Sequence, residues 1–246
     1  MVDIPHWDSF RPDWYEHMPD EQWLRSEEQG CQEGEEIWRA LDLQPGIRVF
    51  DCPCGDARVS VELAKRGASV HGVDINPRFV ARAQQRFQEL GLDGSFSQGD
   101  MREASLPGGC DLLLNWFNSF GYFGEADNRR TMAAFAAALR PGGRLVLESP
   151  NIDHLLQNVA HKTDSDGHDA PIVWDAEKGQ AFLYYPPTDK EEEILGAFRL
   201  YSPDEFRTLF EEAGLKLEAK YSESFTKFSP DSKRFILVAR KNTRID

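Results

Sequence analysis

Ile47-Arg48-Val49-Phe50-Asp51-Cys52-Pro53-Cys54-Gly55-Asp56-Ala57-Arg58, then Val59 to Arg66, then Gly67-Ala68-Ser69-Val70-His71-Gly72-Val73-Asp74-Ile75-Asn76, reads as strand, tight loop, helix, turn and second strand. Ile47, Val49 and Phe50 form the short apolar run of a buried parallel strand. Val59, Leu63 and Ala64 recur at helical spacing, and Gly67 stops the helix. Val70 and Val73 make the next strand, which closes on Asp74. Such a βαβ half-unit brings backbone N–H groups and a helix start toward a ligand. The acid ending its second strand can accept from two ribose hydroxyls. The bland alternative is an unliganded βαβ unit.

The dinucleotide fingerprint G-x-G-x-x-G is absent. The loop opens with Asp51, places Pro53 at the next key position and keeps Gly55. A carboxylate at the loop entrance repels a pyrophosphate and suits a cationic ligand that carries an amine and no phosphate. S-adenosylmethionine (SAM) is such a ligand. The pattern acid-x-small-x-Gly-x-small, with a second acid some twenty residues on, resembles motif I and the following acidic position of the class I SAM-dependent methyltransferases. Pro53 and Ala57 stand where that family usually has glycine; alanine is a mild change, whereas proline removes one backbone donor. The resemblance implies a Rossmann-like α/β fold: a mostly parallel seven-stranded sheet with a terminal antiparallel strand. It also implies SAM as cofactor, held by Asp51, Pro53, Gly55, Asp56 and Ala57 in the loop and by Asp74 and Ile75 after the second strand.

Further along, Asn76-Pro77 starts a helix whose face is Val80, Ala83, Phe87 and Leu90, ended by Gly91. Residues 94–98 read as a weak third strand, followed by Gly99-Asp100-Met101. In the resembled family an acid here meets the adenine amino group and its neighbour covers the ring, which assigns those roles to Asp100 and Met101. An aspartate in a turn is also simply a common turn residue. Asp111 to Leu114 is the fourth strand, and it runs into Asn115-Trp116-Phe117-Asn118-Ser119-Phe120-Gly121-Tyr122-Phe123. Ligands of open α/β sheets bind beyond the carboxyl ends of the strands, so this loop should face the transferred methyl group. It resembles the N-x-F-x-S-F-G-Y-F segment of bacterial small-molecule methyltransferases. Asn115, Trp116, Phe117 and Tyr122 are the candidates, Asn115 and Phe117 toward the cofactor as well; Phe120 and Phe123 read equally well as core.

Met132, Phe135, Ala136 and Leu139 mark the next helix, and Pro141-Gly142-Gly143 reads as a tight turn into a strand at 144–148. Residues 151–200 interrupt the α/β rhythm with three stretches that look like added antiparallel strands, a β insertion expected to cover the active site. Ser202-Pro203-Asp204-Glu205 is a capping box before a helix. Two final strands then read as an antiparallel pair. The organisation expected is an N-terminal arm and helical cap at 1–44, a SAM-binding core at 45–150, the insertion at 151–200 and the rest of the core at 201–246. The cap's helix should run from Asp20 toward Leu41, broken near Gly30 or Gly34.

The 246 residues carry a formal net charge of -14. That balance argues against nucleic acid or an anionic membrane as partner, because phosphate binding needs clustered Lys and Arg. Met1 to Pro19 has no apolar signal core, and no stretch approaches the ~18 apolar residues of a membrane span; a soluble, cytoplasmic protein is expected. Cys52 and Cys54 are too close for an easy disulfide, and no second Cys/His pair completes a zinc set, so no metal is expected. His71 lies within a strand and reads as structural.

The chemistry implied is in-line attack of a small-molecule nucleophile on the SAM methyl. No His, Asp or Lys stands out as a general base, which suits an amine acceptor; a hydroxyl remains open. Trp14, Tyr15, Trp116, Tyr122, Trp174, Tyr184 and Tyr185 are expected to wall the acceptor pocket. The alternative is that the insertion buries its rings in a private core or a homodimer contact. Two other functions stay in view: a catalytically silent SAM-binding or regulatory protein, and a nicotinamide-dependent oxidoreductase.

Overall fold

The computed structural model describes residues 26–106, 108–158, 172–175, 180–185 and 194–243. A first helix, α1 (Glu27–Ala40), precedes alternating β1 (Arg48–Asp51), α2 (Arg58–Lys65), β2 (Ser69–Asp74), α3 (Pro77–Glu89), β3 (Gly94–Gln98), β4 (Cys110–Asn115), α4 (Glu125–Ala138) and β5 (Leu139–Pro150). Then follow α5 (Ile152–Asn158), β6 (Ile172–Asp175), β7 (Gln180–Tyr185), β8 (Ile194–Phe198), α6 (Pro203–Glu212), β9 (Leu215–Ser222) and β10 (Arg234–Lys241). The main sheet has seven strands in the order β3-β2-β1-β4-β5-β10-β9. β1 to β5 pair in parallel, and β10 enters antiparallel between β5 and β9. This is the α/β sheet expected from the sequence.

The central strands are apolar on both faces, as a sheet covered by helices on both sides must be. Alternation sorts their side chains. Phe50, Leu113, Leu145, Leu147, Phe235 and Leu237 point to one core, with Met132 and Phe135 of α4 and Phe206 and Phe210 of α6. Val49, Leu112, Leu114, Val146, Ile236 and Val238 point to the other, with Ile37 of α1, Leu63 of α2 and Val80, Ala83 and Phe87 of α3. Each fully buried side chain of this size contributes roughly 1.5–3 kcal/mol. A one-residue slip in any central strand would exchange its two faces.

Two local expectations are corrected. Gly30 and Gly34 do not break the first helix, which runs unbroken from its Ser26–Gln29 capping box to Ala40. Both are buried against α2: a Cβ at Gly30 would lie 2.8 Å from the Arg58 carbonyl oxygen, and one at Gly34 2.6 Å from the Glu62 Cβ. The glycines permit helix-to-helix contact, which outweighs their poor helix propensity. Pro141-Gly142-Gly143 is not a separate turn but part of β5, which starts directly after α4. The extra residues appear as a register shift, from Cys110 opposite Leu139 to Leu112 opposite Arg144. The expected start at Asp20 lies outside the described residues.

The three added strands form a separate antiparallel sheet in the order β6-β7-β8. The chain leaving it is tied to the loop after β4: the Arg199 backbone N–H donates to the Gly121 carbonyl at 2.8 Å. Gly121 has φ +98, and a Cβ there would lie 2.1 Å from the Arg199 carbonyl oxygen. Gly121→Ala is therefore expected to destabilise the fold by about 1–3 kcal/mol, the usual penalty of overpacking, on top of the positive φ. Denaturant unfolding checks this; a midpoint unchanged from the native protein would show that the loop does not need this contact. Among the described residues no helix is long and apolar enough to cross a membrane.

Candidate active site

A cleft open to solvent lies at the carboxyl ends of β1, β2 and β4. One side is built by the loop after β1. That loop is pinned between the neighbouring strands, the Cys52 N–H donating to the Leu114 carbonyl and the Cys54 N–H to the Val73 carbonyl. The Cys52–Pro53 bond is cis. Cys52 and Cys54 are free, buried thiols beneath the loop.

Two carboxylates end the central strands. Asp51 is 4% exposed; its Oδ2 accepts from the Ser60 hydroxyl at 2.6 Å. Asp74 is 6% exposed; its Oδ2 accepts from the Gly55 N–H at 2.8 Å and its Oδ1 from the Asn76 N–H at 2.9 Å. Burial pushes Asp51 up to about 7, the Ser60 bond and the Arg58 charge only partly opposing it. Burial likewise raises Asp74 to about 6 against its backbone hydrogen bonds. Neither forms an ion pair with Lys or Arg among the described residues. Their neighbours differ. Asp56 pairs with Arg86 at 2.9 Å, and Asp100 pairs with Arg102 at 2.6 Å. Burial raises Asp100, but the Arg102 hydrogen bonds and charge outweigh that and hold it below the usual carboxylate value. The cleft thus faces two buried carboxylates that form no ion pair among the described residues.

The loop after β4 gives the cleft an aromatic wall. Trp116, Phe117, Tyr122 and Phe123 line it, with the Ser119 side chain among them. Phe117 and Asn118 sit at φ +61 and +55, a left-handed pair that strains non-glycine residues. Surrounding hydrogen bonds hold it in place. The Ser119 hydroxyl donates to the Trp116 carbonyl at 2.7 Å, and the Asn115 Nδ2 donates to the Cys52 carbonyl at 3.0 Å and to the Ser119 carbonyl at 3.4 Å. Phe120 and Phe123 are each 3% exposed and belong to the core, Phe123 touching the cleft as well.

Of the residues expected at the site, Asp51, Pro53, Gly55, Asp56, Asp74, Ile75, Asp100, Met101, Trp116, Phe117 and Tyr122 come together around this cleft. Ala57 and Asn115 are not in its lining. Ala57 sits left-handed at the cap of α2, fully buried in a core cluster. Asn115 is fully buried and spends its amide donors on the two carbonyls above. Trp14 and Tyr15 lie outside the described residues. Trp174, Tyr184 and Tyr185 fall on β6 and β7, where the backbone alone is described. Sequence reasoning missed Arg58, Phe79 and Ser119, which also line the cleft. Their signal was position: Arg58 opens the helix after the first loop, and Phe79 follows the Asn76-Pro77 cap. His71, expected to be structural, bonds the Ser95 hydroxyl on β3.

Sheet order, a loop-and-acid pair at the ends of β1 and β2, and a cleft across them define a class I SAM-dependent methyltransferase. Comparison with known proteins agrees. Residues 49–143 match the family described as a methyltransferase domain. A glycine/sarcosine N-methyltransferase from Halorhodospira halochloris is 28% identical over 220 residues, covering 86% of this chain and 82% of that protein. A magnesium-protoporphyrin O-methyltransferase from Rhodobacter capsulatus is 40% identical over 85 residues, 32% of this chain and 38% of that one. The crystal structure of a SAM-dependent methyltransferase from Clostridium acetobutylicum superposes with a TM-score of 0.70 at 14% identity, covering 91% of this chain and 95% of that one. The chain has the class I methyltransferase fold, its residues 49–143 are a methyltransferase domain, and it is a SAM-dependent methyltransferase with SAM as its methyl donor.

Proposed function

We propose that this enzyme methylates an amine nitrogen of a small organic molecule. The observation that carries the reading is the make-up of the cleft wall: buried carboxylates without an ion pair at the ends of β1 and β2, aromatic rings on the loop after β4. SAM supplies an already activated methyl group, so the protein must chiefly align the acceptor and exclude water; alignment can supply roughly 7–11 kcal/mol. On this reading Asp74 accepts from the ribose hydroxyls, Asp51 faces the methionine amine, and Met101 with Ile75 and Phe79 covers the adenine beside Asp100. Pro53 and Gly55 shape the loop, and Asp56 braces it through Arg86. Trp116, Phe117 and Tyr122 wall the acceptor, and Trp174, Tyr184 and Tyr185 of the insertion are assigned to the same pocket. None of the aromatic-side residues is a histidine, lysine or carboxylate that could take a proton from a hydroxyl, whereas a neutral amine attacks without such help. Aromatic faces also attract the amine's protonated form. The glycine/sarcosine relative is named for an amine reaction, which supports the same choice.

S-adenosylhomocysteine release, measured with glycine, sarcosine and ethanolamine on one side and catechol on the other, tests the acceptor. Turnover confined to the amines is expected; turnover of catechol alone would replace the amine by a hydroxyl. Trp116→Ala is expected to leave SAM affinity within about twofold. It should lower acceptor kcat/KM about tenfold, since losing roughly 55 Å² of apolar contact costs about 1.4 kcal/mol. Tyr184→Ala should act in the same direction. Equal loss of SAM binding and turnover in Trp116→Ala would place the ring against the cofactor instead.

A further inference from the structure

The first helix lies outside the βαβ core, yet one of its side chains reaches the cleft wall. Glu33 of α1 accepts with Oε2 from the Trp116 indole N–H at 2.9 Å and from an Arg58 guanidinium N–H at 2.6 Å. Trp116, from the loop after β4, and Arg58, at the start of α2, both line the cleft, and Glu33 does not. The approach is built in by the close packing of Gly30 and Gly34 on α2, which sets Glu33 one turn along the same contact. Arg58 opens α2 with a side chain 9% exposed, and its guanidinium lies 5.6 Å from the centre of the Phe117 ring. Trp116 in turn stacks on Phe225 at 6.2 Å.

We propose that Glu33 is a positioning residue for methyl transfer, so that α1 forms part of the site. Its carboxylate does two things at once. It fixes the plane of the Trp116 ring, because an indole has a single donor and this bond orients it. It also cancels the Arg58 charge beside a cleft that has to receive a sulfonium. A guanidinium cannot shed its proton, so without Glu33 the cleft keeps an added positive charge. The two effects separate experimentally. Glutamine keeps an acceptor for the indole and removes the charge; alanine removes both. The proposal rests on the reading of this cleft as the SAM and acceptor site.

SAM and S-adenosylhomocysteine are suitable paired probes, since they differ by the methyl group and the sulfonium charge. Binding calorimetry on the full chain should show Glu33→Gln losing at least about threefold more affinity for SAM than for S-adenosylhomocysteine. The difference should shrink at 1 M salt, where screening reaches ~3 Å. Indole-¹⁵N labelling, with the Trp116 resonance assigned through Trp116→Phe, should show that signal near its native position in Glu33→Gln. In Glu33→Ala it should move and exchange faster with solvent. A far-UV spectrum and melting curve accompany each variant, and Glu33→Gln serves where Glu33→Ala does not fold. Equal losses for the two ligands in Glu33→Gln would overturn the electrostatic half, and an unmoved Trp116 resonance in Glu33→Ala the positioning half. Failure of the underlying site reading looks different: SAM affinity would then be indifferent to Asp74 as well as to Glu33.

Discussion

Replacing Asp74 by alanine should weaken SAM binding about a hundredfold or more. A charge-assisted hydrogen bond is worth about 1.5–3 kcal/mol, and a ribose presents two hydroxyls to this carboxylate. The structure adds a second consequence. The same carboxylate holds the Gly55 and Asn76 N–H groups, which shape the loop after β1 and the start of α3. Alanine leaves both donors without their acceptor, and an unsatisfied buried donor costs about 1–3 kcal/mol. The melting temperature should therefore fall together with affinity, while far-UV circular dichroism stays native. Asp74→Asn keeps one acceptor oxygen and should lie between the two. Calorimetric titration with SAM measures the affinity; a folded Asp74→Ala protein that binds SAM as the native enzyme does would remove Asp74 from the site.

The second large effect is on pH. Burial holds Asp51 at about 7 and Asp74 at about 6 in the ligand-free protein, both above the ordinary 3.8. A raised carboxyl pKa stabilises the fold while the group is protonated, and this contribution is lost as pH rises through the folded value. The ligand-free enzyme should accordingly lose stability between about pH 4 and pH 7 from these two groups, opposite to the usual behaviour of a surface carboxylate. SAM reverses the sign. Its cationic amine and sulfonium favour the ionised pair, so binding should release protons near pH 6.5. Affinity should rise up to about a hundredfold from pH 5.5 to pH 8, one decade per unit for each group still protonated. Titrations in buffers of different ionisation enthalpy count the protons released. Asp51→Asn should reduce that number and hurt SAM more than adenosine, which has no amine; equal losses for both ligands would mean that Asp51 only shapes the loop. A SAM affinity flat from pH 5.5 to pH 8 would show that neither carboxylate changes its protonation when SAM binds, Asp51 through the amine or Asp74 through the ribose hydroxyls.

Much of this enzyme was legible without coordinates, because parallel α/β architecture writes its signals locally. Val49-Phe50, Val70, Leu112 to Leu114 and Leu145 to Leu147 are apolar on both faces, which is what a sheet between two helix layers requires. The βαβ spacing puts Asp51 and Asp74 at adjacent strand ends, and the Asp51 carboxylate at the loop entrance, with the glycine fingerprint absent, favours a cationic ligand over a dinucleotide. What the sequence left open depends on distance along the chain or on what a side chain is already doing. Gly30 and Gly34 look like helix breakers until α2 is seen against them. Asn115 reads from the sequence only as a site candidate; the structure adds that its amide donors are spent on the Cys52 and Ser119 carbonyls while its buried Oδ1 has no hydrogen-bond partner. The Glu33–Trp116 bond joins residues 83 apart, and the Glu33–Arg58 bond residues 25 apart. No periodicity or motif spans such separations; only packing α1 on α2 beside the β4 loop brings these groups together. Local sequence thus determined the sheet, its two faces and the acids at its edge, while the tertiary contacts decided which polar groups are free to meet a ligand.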